Sequence, residues 1–154
     1  MPVNNCPSSF NLGQLVTWIL VIGGWFIINF QHNRREDRKE SRAAIDRIRE
    51  YAHVLEVEAI NAHKAGSITA DDVSNITWKI KKLIDDIEYC ILLPKDERNA
   101  HAKYLRKSIT LDNLDPSNHL ALQEDHKIIR EIRTAFDDLI GSVEKHFRSK
   151  YPFS

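Results

Sequence analysis

The stretch "GQLVTWILVIGGWFIINFQHNRREDRKESR", residues 13–42, determines how the rest of the chain is interpreted. It opens with a long apolar run, since Leu15 to Phe30 contains only two polar side chains. It ends in a densely charged segment. No Asp, Glu, Lys or Arg precedes Arg34, and the nine residues from Arg34 to Arg42 hold five basic and three acidic side chains. An apolar run with such a flank is typical of a membrane-spanning helix.

The length of the apolar run fits a bilayer. At 1.5 Å per residue, a helix over residues 12–30 is about 28 Å long, close to the ~30 Å hydrocarbon core. Trp18 and Trp25 lie seven residues apart on one face, near the two ends of this helix, where indole rings favour the membrane interface. The sequence therefore predicts a transmembrane helix over residues 12–30, with these two tryptophans as interfacial anchors.

Two other interpretations of the apolar run are open, a cleaved signal peptide and a buried core helix. A signal peptide has a positive N-terminal region and a small-residue cleavage site. Here the flank "MPVNNCPSSFN" has no Lys or Arg, and Phe-Gln-His-Asn-Arg-Arg follows the run. A core helix is rarely followed at once by so dense a charge run. A retained anchor is the favoured interpretation.

The distribution of basic residues predicts the orientation of the anchor. The N-terminal flank has no Lys or Arg, whereas the C-terminal flank has five within nine residues. Because basic residues stay on the cytoplasmic side, we expect a single-pass protein with its N-terminus outside and its C-terminus in the cytoplasm. Cys6 and Cys90 would then lie on opposite sides of the membrane and could not form a disulfide.

The charged segment from Arg34 to Arg42 has two interpretations. Basic side chains four apart share one helical face and can meet anionic lipid head groups, each contributing on the order of 1 kcal/mol near the surface. The alternative is a topology signal whose charge the neighbouring Glu36, Asp37 and Glu40 largely neutralise. The predicted orientation and lipid-facing set is Arg34, Arg35, Arg38, Lys39 and Arg42.

A second stripe lies inside the anchor and consists of small or weakly polar residues at helical spacing. Such residues let two membrane helices approach closely and form hydrogen bonds. The run contains no GxxxG motif, so the alternative is a passive anchor. The stripe predicted to make a helix–helix contact in the membrane is Gln14, Thr17, Val21, Gly24 and Ile28.

The rest of the chain shows helical periodicity. Apolar residues recur at alternating steps of three and four, first at Ile45, Ile48, Ala52, Leu55, Ala59 and Ala62, and then at Val73, Ile76, Ile80, Leu83 and Ile87. Gly66 predicts the end of the first helix, and Thr69 with Asp72 predicts a capping box for the second. A weaker helical pattern, with Ala102, Leu105 and Ile109 as its buried face, covers residues 95–107. The last helix carries Leu122, Ile129, Ile132, Phe136, Leu139 and Val143, and an N-cap is predicted at Asp115-Pro116.

These patterns predict an all-α protein in which three long helices and one short helix form an antiparallel bundle after the anchor. The apolar seams could instead pair between chains as a coiled coil. The predicted division is an extracytoplasmic N-terminus over residues 1–11, a transmembrane helix over 12–30, a charged juxtamembrane helix over 31–44, a cytoplasmic bundle over 45–149 and a tail over 150–154.

Composition and motifs bear on the class of function. Lys plus Arg equals Asp plus Glu at 22 each, which argues against a nucleic-acid-binding protein. The sequence has no phosphate-binding loop, G-x-S-x-G, H-E-x-x-H or paired-cysteine motif. Glu97 and His101 lie four apart, but the Glu-x-x-His pairs of di-metal bundles are missing. We expect the histidines, including His53, His63 and His126, at the surface or boundary, and we expect no cofactor, metal or small-molecule substrate.

The run "GGWFIINFQHNRREDRKESR" resembles the N-terminus of a loose group of uncharacterised bacterial single-pass membrane proteins. The features are Gly24-Trp25 at the end of a short anchor, then Asn33, Arg35-Glu36 and Arg38-Lys39-Glu40. The resemblance covers about 20 residues. It implies a bacterial inner-membrane location and brings no established activity.

Three functions are consistent with this sequence. The first is a non-enzymatic, membrane-tethered adaptor or scaffold whose cytoplasmic bundle binds a protein partner, since a tether raises the local concentration of whatever the bundle binds. The second is a membrane-acting effector of the defence or cell-killing type, in which oligomerised anchors perturb the bilayer. The third is a metal-dependent bundle enzyme. The bilayer and either a protein partner or a second copy of the chain are the expected partners.

Overall fold

The computed structural model describes residues 12–90, 93–110 and 113–152, and these residues are mostly helical. The helices are α1 (Leu12–Lys64), α2 (Ala70–Tyr89), α3 (Lys95–Thr110) and α4 (Lys127–Lys150). No strand occurs within those three ranges. The all-α prediction is therefore confirmed. Residues 1–11, which include Cys6, and positions 91, 92, 111, 112, 153 and 154 lie outside the described residues.

The chain divides into two compact units, Met1–Lys39 and Glu40–Ser154. In the first unit, the described residues belong to α1, and their large apolar side chains from Leu15 to Phe30 are exposed. The segment is long and apolar enough to cross a membrane, with none of its most apolar 18-residue window buried. A side-chain surface this apolar is stable in lipid and costly in water.

The second unit has its own apolar core. The apolar residues recur at steps of three and four, so those of each helix lie on one face of that helix and can pack into a common core. The predicted seam residues of all four helices are buried, except that Ala62, Val73, Ala102 and Leu122 are only partly covered. The fully covered side chains include Ile45, Leu55, Ile80, Leu83, Ile87, Leu105, Ile109, Ile129, Ile132, Leu139 and Val143.

The start of α2 forms the predicted capping box. The Thr69 hydroxyl accepts a hydrogen bond from the Asp72 backbone N–H at 3.2 Å, and the Asp72 carboxylate accepts one from the Thr69 N–H at 3.0 Å. The hydrogen bonds with Thr69 lower the pKa of Asp72. Two N–H groups that the helix leaves unpaired are thus satisfied. α1 ends at Lys64, so Gly66 follows the helix as predicted.

The beginning of α4 differs from the prediction. The helix starts at Lys127 with His126 as its N-cap, and the Asp115-Pro116 pair lies in a turn. The Asp115 carboxylate accepts a hydrogen bond from the Ser117 N–H at 2.9 Å, which is a local turn that competes with helix formation. Leu122 consequently lies in the loop, where its N–H donates to the His63 carbonyl at 2.9 Å.

Candidate functional site

The predicted membrane segment presents its aromatic and aliphatic side chains outward. Trp18 and Trp25 are both exposed, and the Trp25 ring makes an edge contact with Phe26 at 5.3 Å between centroids. Both indoles are therefore accessible to a bilayer. Their function as interfacial anchors stays a prediction.

The predicted helix–helix stripe is also accessible in α1. Val21 and Ile28 are exposed, and a Cβ added at Gly24 would meet no heavy atom within 4 Å. The Thr17 hydroxyl donates to the Gly13 carbonyl at 2.9 Å, so its hydrogen is already used within the helix. Gln14, at the start of the same stripe, is exposed. Contact through this stripe would rest mainly on close packing of small side chains.

The basic stripe after the anchor follows the surface of α1. The Arg34 guanidinium lies 5.6 Å from the centre of the Phe30 ring, and Lys39 forms an ion pair with Glu36 at 3.0 Å. The hydrogen bond that the Lys39 ammonium donates to the Glu36 carboxylate lowers the pKa of Glu36. Arg35 is exposed and Arg38 is partly buried. Arg34, Arg35 and Lys39 are thus the exposed members of the predicted lipid-facing set.

Arg42 lies in the second unit and binds a carboxylate there. Its guanidinium contacts both Glu144 oxygens, at 2.9 and 3.0 Å, and Arg49 and Arg148 reach the same carboxylate. Burial raises the pKa of Glu144, but the hydrogen bonds and charges of the three arginines outweigh it and hold that pKa below its ordinary value of 4.5. Through Arg42 and Arg49, this carboxylate joins the interior of α1 to the C-terminal part of α4.

Replacing Glu144 by Gln is expected to lower the free energy of unfolding at pH 7 by about 1–2 kcal/mol, because three guanidinium groups lose the negative charge that they share and one of its two acceptor oxygens. A carboxylate with a lowered pKa stabilises the fold above its unfolded-state pKa, and this contribution is lost as the pH falls through the folded-state value. The deficit should therefore shrink towards pH 3. Urea unfolding of the full chain in mild detergent measures it.

The matched control for this variant is Glu131→Gln. Glu131 lies on the same helix, and its ion-pair partner among the described residues is Lys127, at 3.6 Å, with 79% of the Lys127 side chain and 45% of the Glu131 side chain exposed. Its replacement should change stability by less than about 0.5 kcal/mol. Equal effects of the two substitutions would contradict the stabilising function assigned to the arginine cluster.

The candidate metal-binding pair Glu97 and His101 lies at the α3–α4 contact. The His146 Nε2 lies 2.8 Å from a Glu97 oxygen and the His101 Nε2 lies 2.9 Å from the Ser142 Oγ. The hydrogen bond from His146 is the main reason that the pKa of Glu97 is lowered. In the part of the chain that the structure describes, no three His, Cys, Asp or Glu side chains are arranged to hold a metal ion. The cluster connects two helices.

His63 contradicts the prediction of surface or boundary histidines, since its side chain is completely buried. Its Nε2 lies 2.8 Å from the Ile109 carbonyl oxygen and its Nδ1 lies 3.2 Å from the Asn113 Nδ2. The Asn113 side chain also donates to the Leu120 carbonyl and accepts from the Leu120 N–H. This polar network attaches the loop before α4 to the end of α1, which no local sequence pattern indicates.

A shallow groove of about 530 Å³ lies between α2 and α3. Its prominent side chain is Trp78, which lies off the apolar seam of α2 and is 59% exposed. The groove is lined by Val73, Ser74, Thr77, Trp78, Lys81, Arg106 and Thr110. Sequence reasoning missed this surface. Trp78 off the seam of an amphipathic helix was the available signal, and nothing local placed Arg106 beside it.

These observations define an all-helical protein with one helix long and apolar enough to cross a membrane and a helical bundle with its own core. Comparison of the chain with protein-family models, curated proteins and solved structures gives no match. The function is therefore argued from the surfaces of the chain itself.

Proposed function

We propose that this protein is a membrane-tethered adaptor of a bacterial inner membrane, with its N-terminus outside and its bundle in the cytoplasm. The observation that carries the proposal is the contrast between the two units. The large apolar side chains of the anchor are exposed, whereas those of the second unit form a closed core. A bilayer provides the apolar surroundings that the anchor lacks. The second unit already has a closed core, so its outer surface remains available to a protein partner.

We further propose that the helices of the second unit are antiparallel. The contacts support this, because residue numbers rise along one helix as they fall along its neighbour. The pairs are Tyr51–Lys82 and Glu58–Lys79 for α1 and α2, Arg42–Glu144 and Lys64–Glu124 for α1 and the chain leading into α4, and His101–Ser142 and Glu97–His146 for α3 and α4.

Exposed aromatic and aliphatic side chains on the second unit support an adaptor. Trp78, Tyr89 and Leu120 are all largely exposed, and aromatic residues are enriched where proteins bind one another. The titratable groups at the α3–α4 contact and around Glu144 bind one another and join helices. These contacts fit a structural function for those groups.

The adaptor proposal is tested by photo-crosslinking in cells. A photoreactive residue replaces Leu120 or Tyr89 in the full chain, and the matched chain carries an unrelated spanning segment in place of residues 12–30. An adaptor should crosslink to the same cytoplasmic protein with either anchor, and expression should leave the membrane potential unchanged. Depolarisation by the natural anchor alone would contradict the adaptor and support the membrane-acting effector.

The orientation makes a separate prediction. Neutral replacements of Arg34, Arg35, Arg38 and Lys39 should produce a mixed or inverted topology, because four of the five basic residues that retain this flank in the cytoplasm are lost. A C-terminal reporter that is active only in the cytoplasm measures the outcome. Four neutral replacements at Lys103, Lys107, Arg130 and Lys145, far along the chain from the anchor, are the control. An unchanged signal in the first variant would show that the orientation has another cause.

A further inference from the structure

We infer that the groove between α2 and α3 binds an acidic amphipathic helix of a partner protein. The inference rests on the proposed adaptor function and deepens it, since it names the surface and the chemistry of the partner. Three features of the groove carry it, which are an exposed indole, two threonine hydroxyls that are already bonded, and two cations that no described carboxylate pairs.

Trp78 supplies the apolar anchor. Its ring is 59% exposed in the middle of α2, next to the partly buried Val73. An exposed indole leaves a large apolar surface in contact with water, and burial of this surface by a partner is favourable. Tryptophan is among the residues that most often dominate binding energy at interfaces. A partner that covers this ring with aliphatic side chains would gain that area.

The hydroxyl groups of the groove are mostly satisfied within their own helices. The Thr77 Oγ1 donates to the Val73 carbonyl at 2.8 Å, and the Thr110 Oγ1 donates to the Arg106 carbonyl at 2.8 Å. Both threonines therefore have their donors occupied and offer mainly their methyl groups. The groove selects a ligand by apolar contact and charge more than by hydrogen bonds to these side chains.

Lys81 and Arg106 supply the charge. Among the described residues, no carboxylate lies within 4.0 Å of either cation, and no acidic side chain lines the groove. Other cations on the same unit do have carboxylate partners, as in Lys79–Glu58 and Arg98–Glu88. A groove with two positive charges that no described carboxylate pairs is complementary to a negatively charged partner.

The shape of the groove favours a helix as the occupant. Its α2 side runs from Val73 to Lys81, about 12 Å at 1.5 Å per residue, and α3 forms the opposite wall. An amphipathic helix can place aliphatic side chains on Trp78 and carboxylates one turn away, beside Lys81 and Arg106. The occupant is thus a helix with two or more Asp or Glu residues next to its apolar stripe.

The inference is tested in the full chain in its native membrane, with a photoreactive residue in place of the exposed Ser74. The variants are Lys81→Glu with Arg106→Glu, and Trp78→Ala. Their matched controls are Arg130→Glu with Lys145→Glu, which reverses one arginine and one lysine exposed on α4, and Tyr104→Ala, which removes an exposed aromatic side chain from α3 outside the groove.

We expect an adduct with a protein whose crosslinked segment carries Asp or Glu beside aliphatic residues. Its yield should fall about tenfold or more in both groove variants and stay within about twofold in both controls. Reversal of the acidic residues of that segment to Lys should restore the adduct with the Lys81→Glu, Arg106→Glu chain. This rescue excludes misfolding as the cause of the loss.

Four results would overturn the inference. They are an adduct with a second copy of the chain, an adduct with lipid, an adduct that survives charge reversal, and no adduct from position 74. The adaptor proposal is judged separately, by the crosslinks from positions 120 and 89. A partner captured there, with none at position 74, would refute the groove and leave the adaptor standing.

Discussion

Leu139→Ala is expected to lower the free energy of unfolding by about 3 kcal/mol. Leu139 is completely buried in the middle of α4 and belongs to the core that all four helices share. Truncation removes apolar area and leaves a cavity that a closely packed interior fills only partly, and such substitutions typically cost about 2–5 kcal/mol. Urea unfolding of the full chain in mild detergent, followed by circular dichroism, measures the loss.

Leu120→Ala is the matched control because it makes the same chemical change at a side chain that is 69% exposed. Its effect should stay below about 0.5 kcal/mol. Equal losses at the two positions would mean that Leu139 does not occupy a closed core. The second unit would then not have the packed interior described above.

His63→Leu is expected to lower the free energy of unfolding by about 3 kcal/mol at pH 7.5. Leucine fills much of the space but bonds neither the Ile109 carbonyl nor the Asn113 amide, and each buried polar group left unsatisfied costs about 1–3 kcal/mol. His53→Leu is the control, since the His53 side chain is largely exposed. A loss below about 1 kcal/mol at His63 would contradict the assigned network.

The same variant has a pH signature. Burial lowers the pKa of His63 from its ordinary value of 6.5, and the ring must be neutral so that Nδ1 can accept from the Asn113 amide. A histidine with a lowered pKa stabilises the fold above the unfolded-state value, and this contribution is lost as the pH falls through the folded-state value. The gap between wild type and His63→Leu should therefore narrow from pH 7.5 to pH 5.5. A gap that widens would show that the buried ring is charged.

Local signals account for much of the fold. The three-four spacing of apolar residues predicts which side chains of each helix are buried, since a helix has only one geometry by which they can share a face. Thr69 and Asp72 predict the capping box because its hydrogen bonds join residues only three positions apart. The error at Asp115-Pro116 arose because a turn and a helix N-terminus use the same residue types. There the tertiary contact between Leu122 and His63 selects the turn.

The sequence by itself determined the helical class, the apolar anchor candidate and the buried seams, because each depends on residues within a few turns of one another. Only the tertiary structure decided that His63 is buried, that Arg42 binds Glu144, and that Trp78 shares a groove with Arg106. The residues concerned are far apart along the chain: Trp78 and Arg106 are separated by 28 positions and Arg42 and Glu144 by 102. The ring of His63 likewise bonds the carbonyl of the distant Ile109. The physical reason is that periodicity tells which face of a helix is apolar and does not tell which polar residue of a distant helix will lie opposite.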